Sequence, residues 1–144
     1  MSREEQIPAP PAGFEPFEFQ GEFSNYNGPA FRRMPGGPDD GLEQALFILP
    51  RHTNAHGVLH GGMLSTFLDS LLGGAVRLAA GRRVVTVHLS IDFIRMARKG
   101  EWLIGEGRVT RLAKETAFAE GRAYVGDRIV GRATGIFRLM HGAA

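Results

Sequence analysis

The chain has 144 residues, of which 43% are hydrophobic and 22% are charged, a composition that suits one globular domain with a single core. Its 17 basic and 15 acidic residues leave a formal net charge of +2, which excludes the strongly basic surface typical of a nucleic-acid binder. The sequence contains no cysteine, so disulfide scaffolds, thiolate nucleophiles and cysteine-ligated metal sites are also excluded.

The first 16 residues are rich in proline and poor in apolar side chains. We therefore predict a flexible N-terminal arm over 1–16 and one folded domain over 17–144. The arm lacks the apolar segment of a signal peptide, and the most hydrophobic stretch of the chain is interrupted by Asp69 and Arg77. These observations predict a cytoplasmic protein without a membrane span.

The stretch that follows the arm is rich in aromatic residues between positions 14 and 31, so we expect it to lie against the domain. A long loop at 34–41 separates it from a predicted strand over Leu42–Leu49, which Pro50 ends.

One segment has the periodicity of a helix, from Gly61 to about Ala80. Its apolar side chains cover most of the helix circumference, which predicts a helix buried nearly all round. Its polar side chains form one narrow stripe. They are Thr66, Asp69, Ser70 and Arg77.

Four predicted strands follow the helix: Val84–Ile94, Trp102–Leu112, Thr116–Val125 and Arg128–Met140. In the first, the odd positions are apolar and the even positions polar, the pattern of a half-buried strand. One face of the other three consists of small residues, which usually means that another backbone comes close. These are Gly105, Gly107, Ala117, Ala119, Gly121, Ala123, Gly131, Ala133 and Gly135. The pattern predicts an α+β fold in which an antiparallel sheet curls around the one helix.

The candidate site lies where the segment from Asn54 to His60-Gly61-Gly62 enters this helix. The first amide of a helix carries partial positive charge, so the Gly61 N–H suits an oxyanion that develops on a carbonyl. Asp69 is a carboxylate on a helix that is otherwise buried, which is costly without a purpose. In the alternative interpretation, the glycines only let the chain turn and His60 only caps the helix.

The spacing of these groups decides how they could act together. His60 and Asp69 are nine positions apart, so one helix separates them by roughly 13 Å at ~1.5 Å per residue. One chain cannot bring both to one small reacting group, whereas two chains related by a twofold axis can. The spacing therefore predicts a dimer with two shared sites.

The pattern Asn54-x-x-Gly57-x-x-His60-Gly61-Gly62 followed by Asp69, with one helix and a glycine-rich antiparallel meander, resembles the hotdog-fold acyl-CoA thioesterases of the phenylacetate-pathway (PaaI-like) family. The resemblance implies the hotdog fold and hydrolysis of an acyl-CoA thioester, with no metal and no other cofactor. It also implies a homo-oligomer in which dimers pair into a tetramer, and it leaves the acyl group open among aryl-acyl and medium-chain groups.

The resemblance also implies a role for each site residue. The Gly61 N–H polarises the thioester carbonyl, His60 and Asn54 shape that oxyanion hole, and Asp69 of the partner chain acts as general base or nucleophile, assisted by Thr86. The resemblance places a second set of residues near coenzyme A. For most of them the alternative interpretation, that they are solvated charges in turns, is equally good. The members of this set are Gly62, His88, Arg111, Lys114, Thr116 and Arg138.

Several alternatives stay open at this point. His52, His56 and His60 are spaced as metal ligands on a helix would be, but Pro50 and Gly57 disfavour a helix there, so we predict loop histidines and no metal. Asp92 could be a second carboxylate of the site. A hydratase would need a different spacing of histidine and acid, and an acyl-CoA sensor would need a DNA-binding region. A non-catalytic acyl-CoA-binding module is the main rival, and loss of Asp69 would be its mark.

Overall fold

The fold is one antiparallel sheet of seven strands against one long helix. The computed structural model describes residues 6–34, 36–37 and 40–142. Its elements are β1 (Glu15–Phe17), α1 (Glu22–Tyr26), β2 (Ala30–Arg33), β3 (Leu42–Phe47), a 3₁₀ turn (Pro50–His52), α2 (Gly61–Ala80), β4 (Val84–Phe93), β5 (Trp102–Leu112), β6 (Thr116–Val125) and β7 (Arg128–Leu139). The strand order is β1-β2-β3-β5-β6-β7-β4, and every neighbouring pair is antiparallel.

Helix α2 lies on the inner face of the sheet and supplies much of the core, so the predicted α+β hotdog architecture is confirmed. Eight of its apolar side chains are buried, and they pack against residues of β3, β5, β6 and β7. Gly81 ends the helix in the left-handed conformation, with φ 65°. Glycine adopts this conformation at a lower cost in free energy than residues with a side chain. By length and composition alone α2 could cross a membrane, but core helices of soluble proteins share that character.

The small residues of β5, β6 and β7 are the reason that α2 can lie so close to the sheet. A Cβ atom at Gly105 would stand 2.6 Å from Phe67 Cε1 and 2.8 Å from Leu71 Cδ2, inside van der Waals contact. A Cβ at Gly121 would meet Leu72 Cδ2 at 2.9 Å. The predicted close approach of helix and strands is therefore confirmed.

We expect Gly105→Ala to lower the free energy of unfolding by about 1–3 kcal/mol, because the added methyl group overpacks the contact with Phe67 and Leu71. Gly21→Ala is the matched control, since a Cβ at Gly21 meets nothing within 4 Å and its backbone is extended. That control should stay within about 0.5 kcal/mol of the wild type. Urea unfolding at one fixed protein concentration measures both variants. Equal stability of Gly105→Ala and Gly21→Ala would contradict the packing described above.

Strand β4 departs from the alternation that its sequence predicts. A bulge between Thr86 and His88 adds Val87 to this strand, and the extra residue reverses the side on which the following side chains lie. Thr86 pairs with the buried Phe137 and lies on the helix side, whereas His88 pairs with Ile136 on the outer face. The prediction of one polar face shared by Thr86, His88, Ser90 and Asp92 is therefore wrong at Thr86.

The structure also shows regular elements close to the predicted arm. Phe14 is buried, and β1 begins at Glu15, inside the stretch 1–16 that the sequence assigns to the arm. The short helix α1 follows, and nothing in the sequence predicts it. Residues 1–5 lie outside the described part of the chain.

Candidate active site

The start of α2 is held by the residue before it. His60 has extended backbone angles and is the N-cap of the helix, with its Nδ1 accepting a hydrogen bond from the Gly62 amide at 2.8 Å. A ring nitrogen that accepts carries no proton, so the neutral ring has its proton on Nε2, which is left as a donor. A Cβ at residue 62 would stand 3.0 Å from Nδ1, so glycine leaves the ring room to cap the helix.

Gly61 is the first residue of the helix and is exposed. No carbonyl of the helix precedes it by one turn, so the Gly61 N–H makes no hydrogen bond within the helix and points out of the helix end. This end of the helix also carries a partial positive charge. The ring of Phe93 lies beside it, because a Cβ at Gly61 would meet Phe93 Cε1 at 3.4 Å. The arrangement can receive a carbonyl oxygen that gains negative charge.

Asn54 organises the loop that leads to His60. Its Oδ1 accepts from the amides of His56 at 2.9 Å and Val58 at 3.3 Å, and its own amide donates to the Val58 carbonyl at 2.9 Å. The Leu59 amide then donates to the Ala97 carbonyl at 2.8 Å, which ties the loop to the segment after β4. In this chain Asn54 therefore acts on the loop, and a direct place in the oxyanion hole stays a prediction.

Asp69 is the ninth residue of α2, in the third turn of the helix, and is half-buried. The Thr86 hydroxyl on β4 donates to Asp69 Oδ1 at 2.6 Å. This short bond to an ionised acceptor fixes one carboxylate oxygen and leaves Oδ2 for another partner. The bulge in β4 makes this contact possible, because it separates Thr86 from the outer face.

The residues expected at coenzyme A lie mostly away from α2. Thr116 and Arg138 are cross-strand partners at one end of the sheet, and both are on its outer face. His88 and Arg111 also lie on the outer face, each opposite an outward-facing residue of its neighbouring strand, and Lys114 is in the β5–β6 turn. Only Gly62 is next to the helix start.

The remaining candidates have other partners. The buried His52 ring accepts from the Leu49 amide through Nδ1 at 3.0 Å and lies 3.1 Å from the Gly28 carbonyl through Nε2. His56 is exposed in the loop. Asp92 is paired with Arg132 at 2.8 Å on the outer face, on the side of the sheet opposite to α2.

Two features of the structure were not predicted from the sequence. Phe93 is 61% exposed next to Gly61, and only the three-dimensional approach of β4 to the helix start reveals it. Arg82, in the turn that follows α2, lines a cleft of about 460 Å³ with Lys114 and His141. Its guanidinium donates to the carbonyls of Met140 at 2.8 Å and Lys114 at 3.1 Å.

Comparison with known proteins identifies the family. A sequence model of the thioesterase superfamily matches residues 56–132, more than half of the chain. A Pseudomonas aeruginosa protein that is provisionally named an esterase is 38% identical over 131 residues, which cover 90% of this chain and 96% of that protein.

Solved structures share the fold. The Escherichia coli PaaI protein from the phenylacetic acid degradation operon has a TM-score of 0.73 at 19% identity, covering 79% of this chain and 81% of that one. A hypothetical thioesterase from Streptococcus pneumoniae, solved with coenzyme A, has a TM-score of 0.74 at 18% identity, covering 85% and 98%. The resemblance to the hotdog-fold PaaI-like proteins is thus confirmed, and this chain belongs to the thioesterase superfamily as a thioester hydrolase.

Proposed function

We propose that the protein hydrolyses acyl-CoA thioesters, with Asp69 of one chain and the Gly61 amide of a second chain acting on the same thioester. The observation that carries the proposal is the bond from Thr86 to Asp69, because it fixes a half-buried carboxylate that the core packing of α2 does not require. A non-catalytic binding module would have no use for a carboxylate held in this way.

The chemistry follows from the charges that develop in the reaction. The Gly61 N–H stabilises negative charge on the carbonyl oxygen, and the His60 Nε2 proton is a second donor at the same helix start. Asp69 either takes a proton from the water that attacks the carbonyl carbon, or attacks that carbon itself, expels the thiolate and forms an anhydride that water then hydrolyses. Both routes give a free carboxylic acid and coenzyme A. The thiolate of coenzyme A is a good leaving group, so the site needs no strong acid. The reaction as proposed uses no metal and no other cofactor.

Strand β4 supports the proposed dimer. It is an edge strand of ten residues, and an exposed edge of this length is an open template for another strand. Val87 is 63% exposed and Val85 is 51% exposed, which is unfavourable in a monomer. If two β4 strands pair about a twofold axis, their α2 helices run antiparallel, and Gly61 of each chain comes opposite Asp69 of the other. A pair of such dimers gives the tetramer that the resemblance implies.

The cleft at Arg82 is the proposed binding site for the nucleotide of coenzyme A. Lys114, Arg82 and His141 line it, and the Thr116–Arg138 pair lies on the adjoining part of the sheet. Gly81 is twelve positions after Asp69, so the cleft lies roughly 18 Å from the carboxylate along the helix at ~1.5 Å per residue. An extended pantetheine arm spans such a gap, and basic groups suit the phosphates at its far end.

A mixing experiment tests the shared site. We expect the variants Asp69→Asn and Gly61→Pro each to be inactive alone, but a dimer of one of each has one site with both an intact Asp69 and an intact Gly61 amide. Random co-assembly of equal amounts should therefore restore about a quarter of the wild-type activity. The measurement is release of free thiol from hexanoyl-CoA after co-expression of the two variants.

Two other results would be decisive against the proposal. No recovery in a mixture that native mass spectrometry shows to contain mixed dimers would place both groups of each site in one chain. A wild-type protein that binds hexanoyl-CoA and phenylacetyl-CoA without releasing thiol from either would favour the binding module.

A further inference from the structure

The N-terminal strap, residues 14–28, is the part of the chain that the proposed mechanism leaves without a function. Asn25 clamps it internally, since the Phe19 amide donates to Asn25 Oδ1 at 2.8 Å and Asn25 Nδ2 donates to the Phe19 carbonyl at 2.7 Å. Arg51 anchors its far end by donating to the carbonyls of Tyr26 and Gly28. The strap is therefore held in place by these side-chain contacts in addition to the pairing of β1 with β2.

Arg32 connects the N-terminal strap to helix α2. Its guanidinium lies 3.8 Å from the ring centre of Phe17 and 5.2 Å from that of Phe19. The same group donates to Gln44 Oε1 at 3.0 Å and to the carbonyl of Ser70 at 3.1 Å. Burial and the nearby Arg77 lower the pKa of Arg32 to about 10, so it is still a cation at neutral pH. The aromatic side chains of the strap are thereby fixed against the residue that follows Asp69.

A small cavity lies between the strap and α2. Residues from both sides line it, together with Ala30, Gln44 and Leu46 of the sheet. The strap contributes Phe19, Ser24, Asn27 and Gly28, and the helix contributes Met63, Thr66, Phe67 and Ser70. Its volume is about 10 Å³, room for one water at most. Thr66 and Ser70 are the helix neighbours of Asp69 on the side that faces the strap. The cavity that they line is therefore separated from the carboxylate by these two side chains.

The two walls of the cavity differ in how easily they can move. Met63 and Phe67 belong to the core and are 8% and 2% exposed, whereas Phe19 is only half-buried. A guest larger than water must therefore displace the strap, and the ring of Phe19 is the largest group that it meets there.

We propose that the acyl group of the substrate occupies this cavity and that Phe19 sets the longest acyl chain that the enzyme accepts. The inference rests on the proposed acyl-CoA hydrolysis and adds its specificity. A short acyl group must already displace the Phe19 ring to enter, and each further methylene group must push the strap farther outward against the contacts of Arg32 and Asn25. The enzyme is then selective for short acyl groups.

The test compares kcat/KM for dodecanoyl-CoA with kcat/KM for hexanoyl-CoA. Phe19→Ala should raise this ratio by about tenfold or more, and Phe19→Trp should lower it, since one methylene group in a pocket is worth about 10–200-fold. Phe23→Ala is the matched control, because Phe23 is 66% exposed on α1 of the same strap and does not line the cavity. It should leave the ratio unchanged.

The possible outcomes separate the two proposals. If the wild type hydrolyses hexanoyl-CoA but both Phe19 variants keep its ratio, the strap does not set chain length and this inference is overturned. A ratio that moves equally in Phe23→Ala would also overturn it, since loosening of the whole strap would then be the cause. Should Phe19→Ala fail to fold, as thermal unfolding would show, the opposite shift in Phe19→Trp decides. A wild type that hydrolyses no acyl-CoA overturns the proposed function, and this inference with it.

Discussion

Asp69→Asn should lower kcat for acyl-CoA hydrolysis by about 10²–10⁴-fold while KM changes little, as expected for removal of a general base or nucleophile. The amide has the size of the carboxylate and keeps an oxygen that can accept from the Thr86 hydroxyl. Packing at this half-buried position is thereby preserved, and only the negative charge is lost. Steady-state release of thiol from hexanoyl-CoA gives kcat and KM for the variant and the wild type.

Asp92→Asn controls for the general effect of losing one carboxylate. Asp92 is on the outer face of the sheet in an exposed pair with Arg132, and surface pairs contribute little to stability. This variant should keep the wild-type kcat. If Asp69→Asn hydrolysed hexanoyl-CoA as fast as Asp92→Asn does, Asp69 would have no catalytic role.

Gly61→Pro should lower kcat by about 10²–10³-fold, the usual cost of one lost oxyanion donor. Proline is favoured at the first position of a helix, where the N–H has no intrahelical partner in any case. The preceding His60 already has φ −62° and ψ 135°, the extended angles that a residue before proline prefers. The substitution therefore removes the donor with little disturbance of the helix start.

The matched control is Gly61→Ala, which adds a carbon to the same position but retains the amide proton. Its Cβ would stand 3.4 Å from the Phe93 ring, an ordinary contact. A difference in kcat between the proline and alanine variants isolates the N–H from the steric effect of a side chain. Circular dichroism checks that α2 is intact in both. Equal kcat values for the two variants would remove the Gly61 amide from the mechanism.

The elements that pack on the core could be predicted from the sequence, because burial leaves a periodic pattern. Helix α2 begins at Gly61 and ends at Ala80 as its apolar residues indicate, and strands β5 and β6 have their predicted limits. The small residues of β5–β7 indicated which face of the sheet meets the helix. The pattern from Asn54 to Asp69 likewise predicted a candidate site at the helix start and singled out Asp69, the carboxylate that Thr86 contacts.

Features that depend on distant partners could not be predicted in this way. The bulge in β4 exists because of how the strand pairs with β7, and the sequence of β4 alone alternates without a break. The strap has a strand of three residues and a helix of five, too short for a periodic signal, and contacts from Arg32 and Arg51 hold it. The nearness of Phe93 to Gly61 is a tertiary contact of the same kind.

The bulge at Val87 divides β4 into two parts. In the part before it the even-numbered side chains face the helix, and in the part after it the odd-numbered ones do. Before it, Thr86 is aimed at the helix; after it, Leu89 and Ile91 are aimed at the core while His88 lies outside. If β4 kept all its residues but paired with β7 without the bulge, His88 would turn inward beside the helix or Thr86 would turn away from Asp69, since a shift of one position moves a side chain to the opposite face. The pairing of β4 with β7 therefore decides which of its side chains meet the helix, and the alternation of the strand's own sequence does not.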